Sequence, residues 1–222
     1  MAITFDAKAR GTLSSGTTIA LAHTVTGANP LLVVSVQARG ATLGSFTNIS
    51  YAGNNLTRIG RHLHSVDTGI AAEMWYLKAP PTGLGTTNGT ASDTDQFRIT
   101  SSSYAGVDQT TPLNASGSQE GNSQIGTVVI TPTEGSCVIV DSHVHETGDP
   151  GTGNQTVLHT VDEGVWSASA QYFIQGAVGS AGTMTWNNTG VDVWVSMGAS
   201  FKSASAGEVT VTQGNMLLAG GF

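Results

Sequence analysis

The two halves of this chain repeat one another, and that repetition limits the folds open to it more than any other property. Leu31-Leu32-Val33-Val34-Ser35 is matched by Cys137-Val138-Ile139-Val140-Asp141, and Glu73-Met74-Trp75-Tyr76-Leu77 by Gln171-Tyr172-Phe173-Ile174-Gln175. A third pair sets Asp95-Gln96-Phe97-Arg98-Ile99 against Asp192-Val193-Trp194-Val195-Ser196. Order is kept and spacing nearly so. Each segment is short, rich in β-branched and aromatic residues, and bounded by Gly, Thr, Pro or Asn, which is the signature of a strand between turns. In the alternation, Leu32, Val34, Val36 and Ala38 point one way and Val33, Ser35, Gln37 and Arg39 the other.

Further strands are predicted over 17–25, 56–63, 71–77, 125–130, 155–160, 166–174, 191–201 and 209–213, with a hairpin at Tyr51-Ala52-Gly53-Asn54-Asn55-Leu56. No stretch keeps a helical period over three turns. The fold class is therefore all-β: an eight-stranded, jelly-roll-like antiparallel β-sandwich with an internal pseudo-repeat. Its two similar four-strand halves span about 17–113 and 123–202, and the sandwich as a whole residues 1–202. Two separate small domains are disfavoured, because four strands alone bury little, and 114–124 reads as a crossover loop. Residues 203–222 form a C-terminal tail: a Ser/Ala/Gly spacer, then the uncharged Met216-Leu217-Leu218-Ala219-Gly220-Gly221-Phe222.

Charge narrows the partners. Only 10% of residues are charged, Lys plus Arg number 8, and the net charge is −7. No basic stripe is present, so nucleic acid is not an expected partner, and an anionic membrane surface is disfavoured for the same reason. No apolar run approaches the ~20 residues that a membrane helix needs, so membrane insertion is not expected either. The amino terminus has no basic n-region or apolar h-region, so no secretory leader is expected. The single cysteine, Cys137, lies in an apolar run and reads as a core residue.

Few residues invite chemistry. Asp141, His143 and His145 alternate on one strand, and His62 and His64 form a second such pair, a spacing at which a strand can chelate zinc. The internal match instead places Asp141, His143 and His145 opposite Ser35, Gln37 and Arg39, on an outward polar face, and no metal or other cofactor is expected. Glu73 and Asp141 are the strand carboxylates that a glycoside hydrolase would use, but nothing pairs them, and no nucleophile elbow or phosphate loop occurs. No catalytic residue is assigned. Trp75, Trp166 and Trp194 read as core, while Trp186, at the turn Trp186-Asn187-Asn188, is the candidate glycan contact.

The segments Thr24-Val25-Thr26-Gly27-Ala28-Asn29-Pro30, Ile49-Ser50-Tyr51-Ala52-Gly53, Met74-Trp75-Tyr76-Leu77-Lys78-Ala79-Pro80-Pro81 and Gly106-Val107-Asp108-Gln109-Thr110-Thr111-Pro112 resemble a β-sandwich module of phage structural proteins and bacterial surface proteins. The resemblance spans roughly residues 17–202 and implies a structural or adhesive setting without catalytic residues. The expectation is thus a non-enzymatic component of a virion, made in the host cytoplasm: a head decoration, fibre-like or tail subunit. Its partners would be other virion proteins and further copies of itself, with a trimer as the expected oligomer. Ile3 and Phe5 at one end, and Met216, Leu217, Leu218 and Phe222 at the other, are the candidate assembly anchors. The alternative is a carbohydrate-binding or receptor-binding module that holds a surface glycan through Trp186.

Overall fold

A computed structural model describes residues 1–13, 16–41, 43–66, 69–146, 151–162, 166–175 and 180–205. Every regular element among them is a strand. The first half contains β1 (Thr4–Leu13), β2 (Thr18–Val25), β3 (Leu31–Arg39), β4 (Phe46–Tyr51), β5 (Asn54–Asn55), β6 (Thr57–Leu63), β7 (Ile70–Lys78), β8 (Gly83–Ala91) and β9 (Gln96–Ala105). The second contains β10 (Leu113–Ile130), β11 (Cys137–His145), β12 (Thr152–Gly153), β13 (Thr156–Asp162), β14 (Ser167–Gln175) and β15 (Gly182–Lys202).

The protein is all-β and sandwich-like, but its described residues form fifteen strands in three antiparallel sheets rather than eight in two. One sheet runs β1-β9-β3-β7-β6, and a second runs β10-β15-β11-β14-β13 with β12 also on β15. Their orders are the same path traced twice. The third sheet, β2-β8-β4-β5, covers the outer face of the first. In the second half that cover comes from the same long strands: β10 shifts register between Ser123 and Ile125, and its Ile125–Ile130 stretch pairs with Gly182–Asn187 of β15. Each half therefore builds its own two-layered unit. The segment 114–124, expected as a crossover loop, is strand.

The two units meet through their five-strand sheets. Leu31, Val33, Met74 and Tyr104 from one side pack with Val138, Val140, Val195 and Phe201 from the other. On its opposite face the first sheet contributes Leu32, Val34, Val36 and Phe97 to a second core with Phe46, Ile49 and Tyr51 of β4. With both faces covered, β3 is buried from Leu31 to Ala38 and β11 along its whole length. That is why these two segments read as continuous apolar runs, a pattern that strands acquire when neither face meets water.

The hairpin expected at Tyr51–Asn54 forms, with Ala52 and Gly53 at positive φ and Tyr51 paired with Asn54. The Gly106–Pro112 stretch is the joint between the units. Gly106 takes φ +79° with its N–H on Ala28 O, Val107 is fully buried, and Asp108 Oδ1 accepts from the N–H groups of Thr110 and Thr111. Pro112 O in turn accepts from Lys202 N–H. The folded body also continues past Lys202: Ser203 bridges Val107, and the Met1 amino group donates to Ala204 O at 2.7 Å. Ser203 and Ala204, assigned to the tail by the expected boundary at 202, thus bond to the body. Residues 209–213 and the anchors Met216, Leu217, Leu218 and Phe222 lie outside the described residues.

Candidate functional site

Strand pairing fixes how the halves correspond. Leu31 pairs with Tyr104 and Val138 with Phe201, and all four face the shared seam. Leu31 is therefore equivalent to Val138, one residue away from the sequence match to Cys137. A one-residue slip moves every side chain to the other face of a strand. In the corrected register Asp141, His143 and His145 stand where Val34, Val36 and Ala38 stand, inside the second unit rather than on an outward polar face. All three are fully buried. Nor do Ser35 and Gln37 face water: Ser35 Oγ donates to Asp141 O, and Gln37 Nε2 to Ser142 Oγ, across the seam.

The interior of the second unit is consequently a polar network. Asp141 Oδ1 accepts from Gln171 N–H at 2.8 Å, and Oδ2 accepts from Gln171 Nε2 at 3.0 Å and Trp186 Nε1 at 2.9 Å. His143 lies between Ser196 Oγ on Nδ1 at 2.7 Å and Asn188 Oδ1 on Nε2 at 3.2 Å. Since Asn188 Oδ1 only accepts, Nε2 carries the proton and Nδ1 accepts from the Ser196 hydroxyl. The Trp186 ring stacks on His143 at 5.7 Å and 12°. Trp186 itself is fully buried, which corrects its assignment as an exposed glycan contact: its indole N–H is drawn inward to satisfy a buried carboxylate.

Burial sets the ionisation of these groups. It pushes Asp141 up to about 7 against three opposing donors, and holds His143 down to about 3. A carboxyl whose folded pKa is raised keeps its proton when the unfolded chain has lost it, so stability falls as pH rises from 3.8 through 7. Asp141→Asn escapes this loss. Relative to the parent, the variant is expected to gain about 4 kcal/mol between pH 4 and pH 7.5, at roughly 1.4 kcal/mol for each tenfold change in proton affinity. Urea unfolding of both proteins at the two pH values checks this, and a constant difference would refute a raised Asp141. His143 has the opposite sign: its contribution is lost as pH falls from 6.5 toward 3.

Glu73 is the counterpart charge in the first unit. Its carboxylate, fully buried, lies 3.2 Å from Arg61 Nε and 3.6 Å from Arg58 Nη2, and accepts from Trp75 Nε1 at 3.2 Å. Burial raises its pKa despite the two guanidiniums, and lowers that of Arg61. Arg61 Nη2 also donates to the carbonyls of Leu43 and Gly44 at 2.9 Å. Glu73 and Asp141 thus sit in separate cores and do not face each other as an acid–base pair.

The histidine pairs do not converge. His62 Nε2 lies 3.1 Å from Glu120 Oε2, strapping β6 to β10, and Ser65 N–H and Ser118 Oγ complete that contact. His64 is buried, and its Nδ1 accepts from Val66 N–H. Among the described residues no group of three His, Cys, Asp or Glu is placed to hold a metal ion. Cys137 is buried, with its thiol pushed up to about 11. Ile3 and Phe5 are used within the chain: Ile3 is buried in the seam, and Phe5 stacks on Tyr172 at 4.9 Å and meets Tyr104 edge-on at 5.9 Å. Ile3 is thereby corrected as an anchor for another subunit, whereas Phe5 is only half-buried.

One surface feature leaves no mark in the sequence. The edges of β1 and β13 enclose two adjoining clefts of about 390 and 240 Å³, with Arg10 and His159 lining both, Lys8 the larger and Arg98 the smaller. Lys8 and Arg10 alternate on β1, but only sheet pairing brings Arg98 and His159 beside them. No protein-family model, curated protein or solved structure matches the chain.

Proposed function

We propose that the protein is a non-enzymatic structural subunit of a phage-type particle, a head decoration, fibre-like or tail component that acts through protein–protein contacts. The observation that carries this reading is the edge strand β10. Among the described residues its 18 residues pair only with β15, and it holds no proline or lysine and a single charge, Glu120. Unpaired strand edges template further strands unless charge, proline or a covering segment blocks them. Ile125 and Val129 stand exposed on the same strand. Two units fused through a buried seam make a stiff block that can transmit such a contact. We further read β1-β9-β3-β7 opposite β2-β8-β4-β5 as jelly-roll connectivity, repeated in the second half with β10 and β15 each running through both layers.

Light scattering on the full chain, on a chain ended after Ser205, and on Val129→Lys tests the proposal. A multimer, expected as a trimer, should dissociate on truncation or on placing a charge at the open edge. A full chain that stays monomeric, or a multimer indifferent to both changes, would overturn it. The cut belongs after Ser205 because Ser203 and Ala204 bond within the body. The alternative, a glycan-binding module, can no longer use Trp186. The basic cleft is the surface that favours it.

A further inference from the structure

We infer that the cleft between β1 and β13 is a binding site for an anionic oligosaccharide, one bearing carboxylate or sulfate groups, with Lys8, Arg10, Arg98 and His159 as its contacts.

A chain with eight Lys and Arg in all gathers three of them here, and no Asp or Glu is among the described residues lining either cleft. Packing alone does not call for this. Like charges held together beside a low-dielectric wall repel one another. Arg10 sits where the two clefts join and donates to no described residue. Lys8 reaches only the Val157 carbonyl, at 3.4 Å. Arg98 is buried and held in place, its guanidinium 5.1 Å from the centre of the Trp166 ring and its Nη1 donating to Phe97 O.

His159 forms a neutral part of the wall. It is buried, its Nδ1 meets the Thr100 hydroxyl, and burial together with Arg10, Lys8 and Arg98 keeps it uncharged at neutral pH. Both ring nitrogens lie toward the Thr100 hydroxyl, Nε2 at 3.4 Å, so the ring bounds the cleft without adding a positive charge. Size then separates an oligosaccharide from a lone inorganic anion. The larger cleft falls in the range of sites for small organic ligands, and the smaller extends it past Arg10. Thr12 and Thr160 add hydroxyls along the walls. Cations at intervals among hydroxyls suit a polymer whose charges are spaced by neutral hydroxylated rings.

Isothermal titration calorimetry of the full chain tests this, with a glucuronate-containing hexasaccharide, a sulfated hexasaccharide, a neutral glucose hexasaccharide, inorganic phosphate and inorganic sulfate. Saturable binding of at least one charged hexasaccharide is expected, at least tenfold tighter than phosphate or sulfate, with none of the neutral sugar. Lys8→Gln with Arg10→Gln, both at exposed positions, should weaken it at least tenfold while leaving the thermal midpoint and the mass in solution unchanged. Three results would overturn the inference: no saturable binding of either charged hexasaccharide, binding that survives the double substitution, or phosphate or sulfate bound as tightly as the sugars. The site stands apart from the assembly role, since a chain that fails to multimerise can still bind here, and one that multimerises can fail to.

Discussion

Trp186→Ala is expected to destabilise the protein by at least about 4 kcal/mol. Two losses combine. Removing a fully buried indole leaves a cavity, which costs about 3–5 kcal/mol when the surroundings cannot collapse into it. Collapse is restricted here because the ring is stacked between fixed elements, His143 on β11 and the β12 backbone at Gly153. The second loss is the Nε1 donor to Asp141, which leaves a buried carboxylate less satisfied at about 1–3 kcal/mol. Trp186→Phe keeps most of the volume and should cost mainly the second part. Urea denaturation of the three proteins decides the matter, and an alanine variant within about 1 kcal/mol of the parent would contradict the buried placement. A glycan-binding assay on Trp186→Ala would report unfolding, not a lost sugar contact.

Glu73→Ala should cost about 3–5 kcal/mol, because it strands Arg61 in the interior of the first unit. The asymmetry between the two arginines makes the prediction specific. The Arg61 side chain is 15% exposed and also holds the Leu43 and Gly44 carbonyls, so its charge cannot swing out to water without giving up those bonds. Arg58 is 36% exposed and rests against the Trp75 ring at 5.5 Å. Arg58→Ala should therefore cost only about 1 kcal/mol, the range of a screened surface pair with one cation–π contact. Urea denaturation of both variants checks the contrast. Equal losses from the two substitutions would mean that removing Glu73 does not strand Arg61.

How much of this is legible in the sequence depends on the element. The apolar runs at 31–34 and 137–140 announce strands, and the repeat announces a duplicated architecture. β8 gives no such signal, because its inward residues Gly85, Thr87, Gly89 and Ala91 are small while the large apolar residue, Leu84, points outward. Gly85 and Gly89 lie directly under the rings of Tyr51 and Phe46, where an added Cβ would come within 2.5 Å of ring carbons. The first half of β10 is silent for a related reason: Asn, Ser, Gly and Gln at a solvent-facing edge carry no apolar period. In β11 the difficulty is register. Asp141, His143 and His145 look like a surface row, and only the pairing of Val138 with Phe201 turns that row inward.

Fold class, the strand-rich halves and their kinship follow from the amino-acid order without help, because strand propensity and apolar pattern are local properties that need no partner to be read. Strand pairing in the folded chain is what makes each half close as its own layered unit, sets a polar trio in one interior, and brings Lys8, Arg10, Arg98 and His159 to one cleft. Those outcomes depend on which strand lies beside which. Pairing between residues far apart in the chain is a property of the whole sheet, and a one-residue change in register reverses every face it defines.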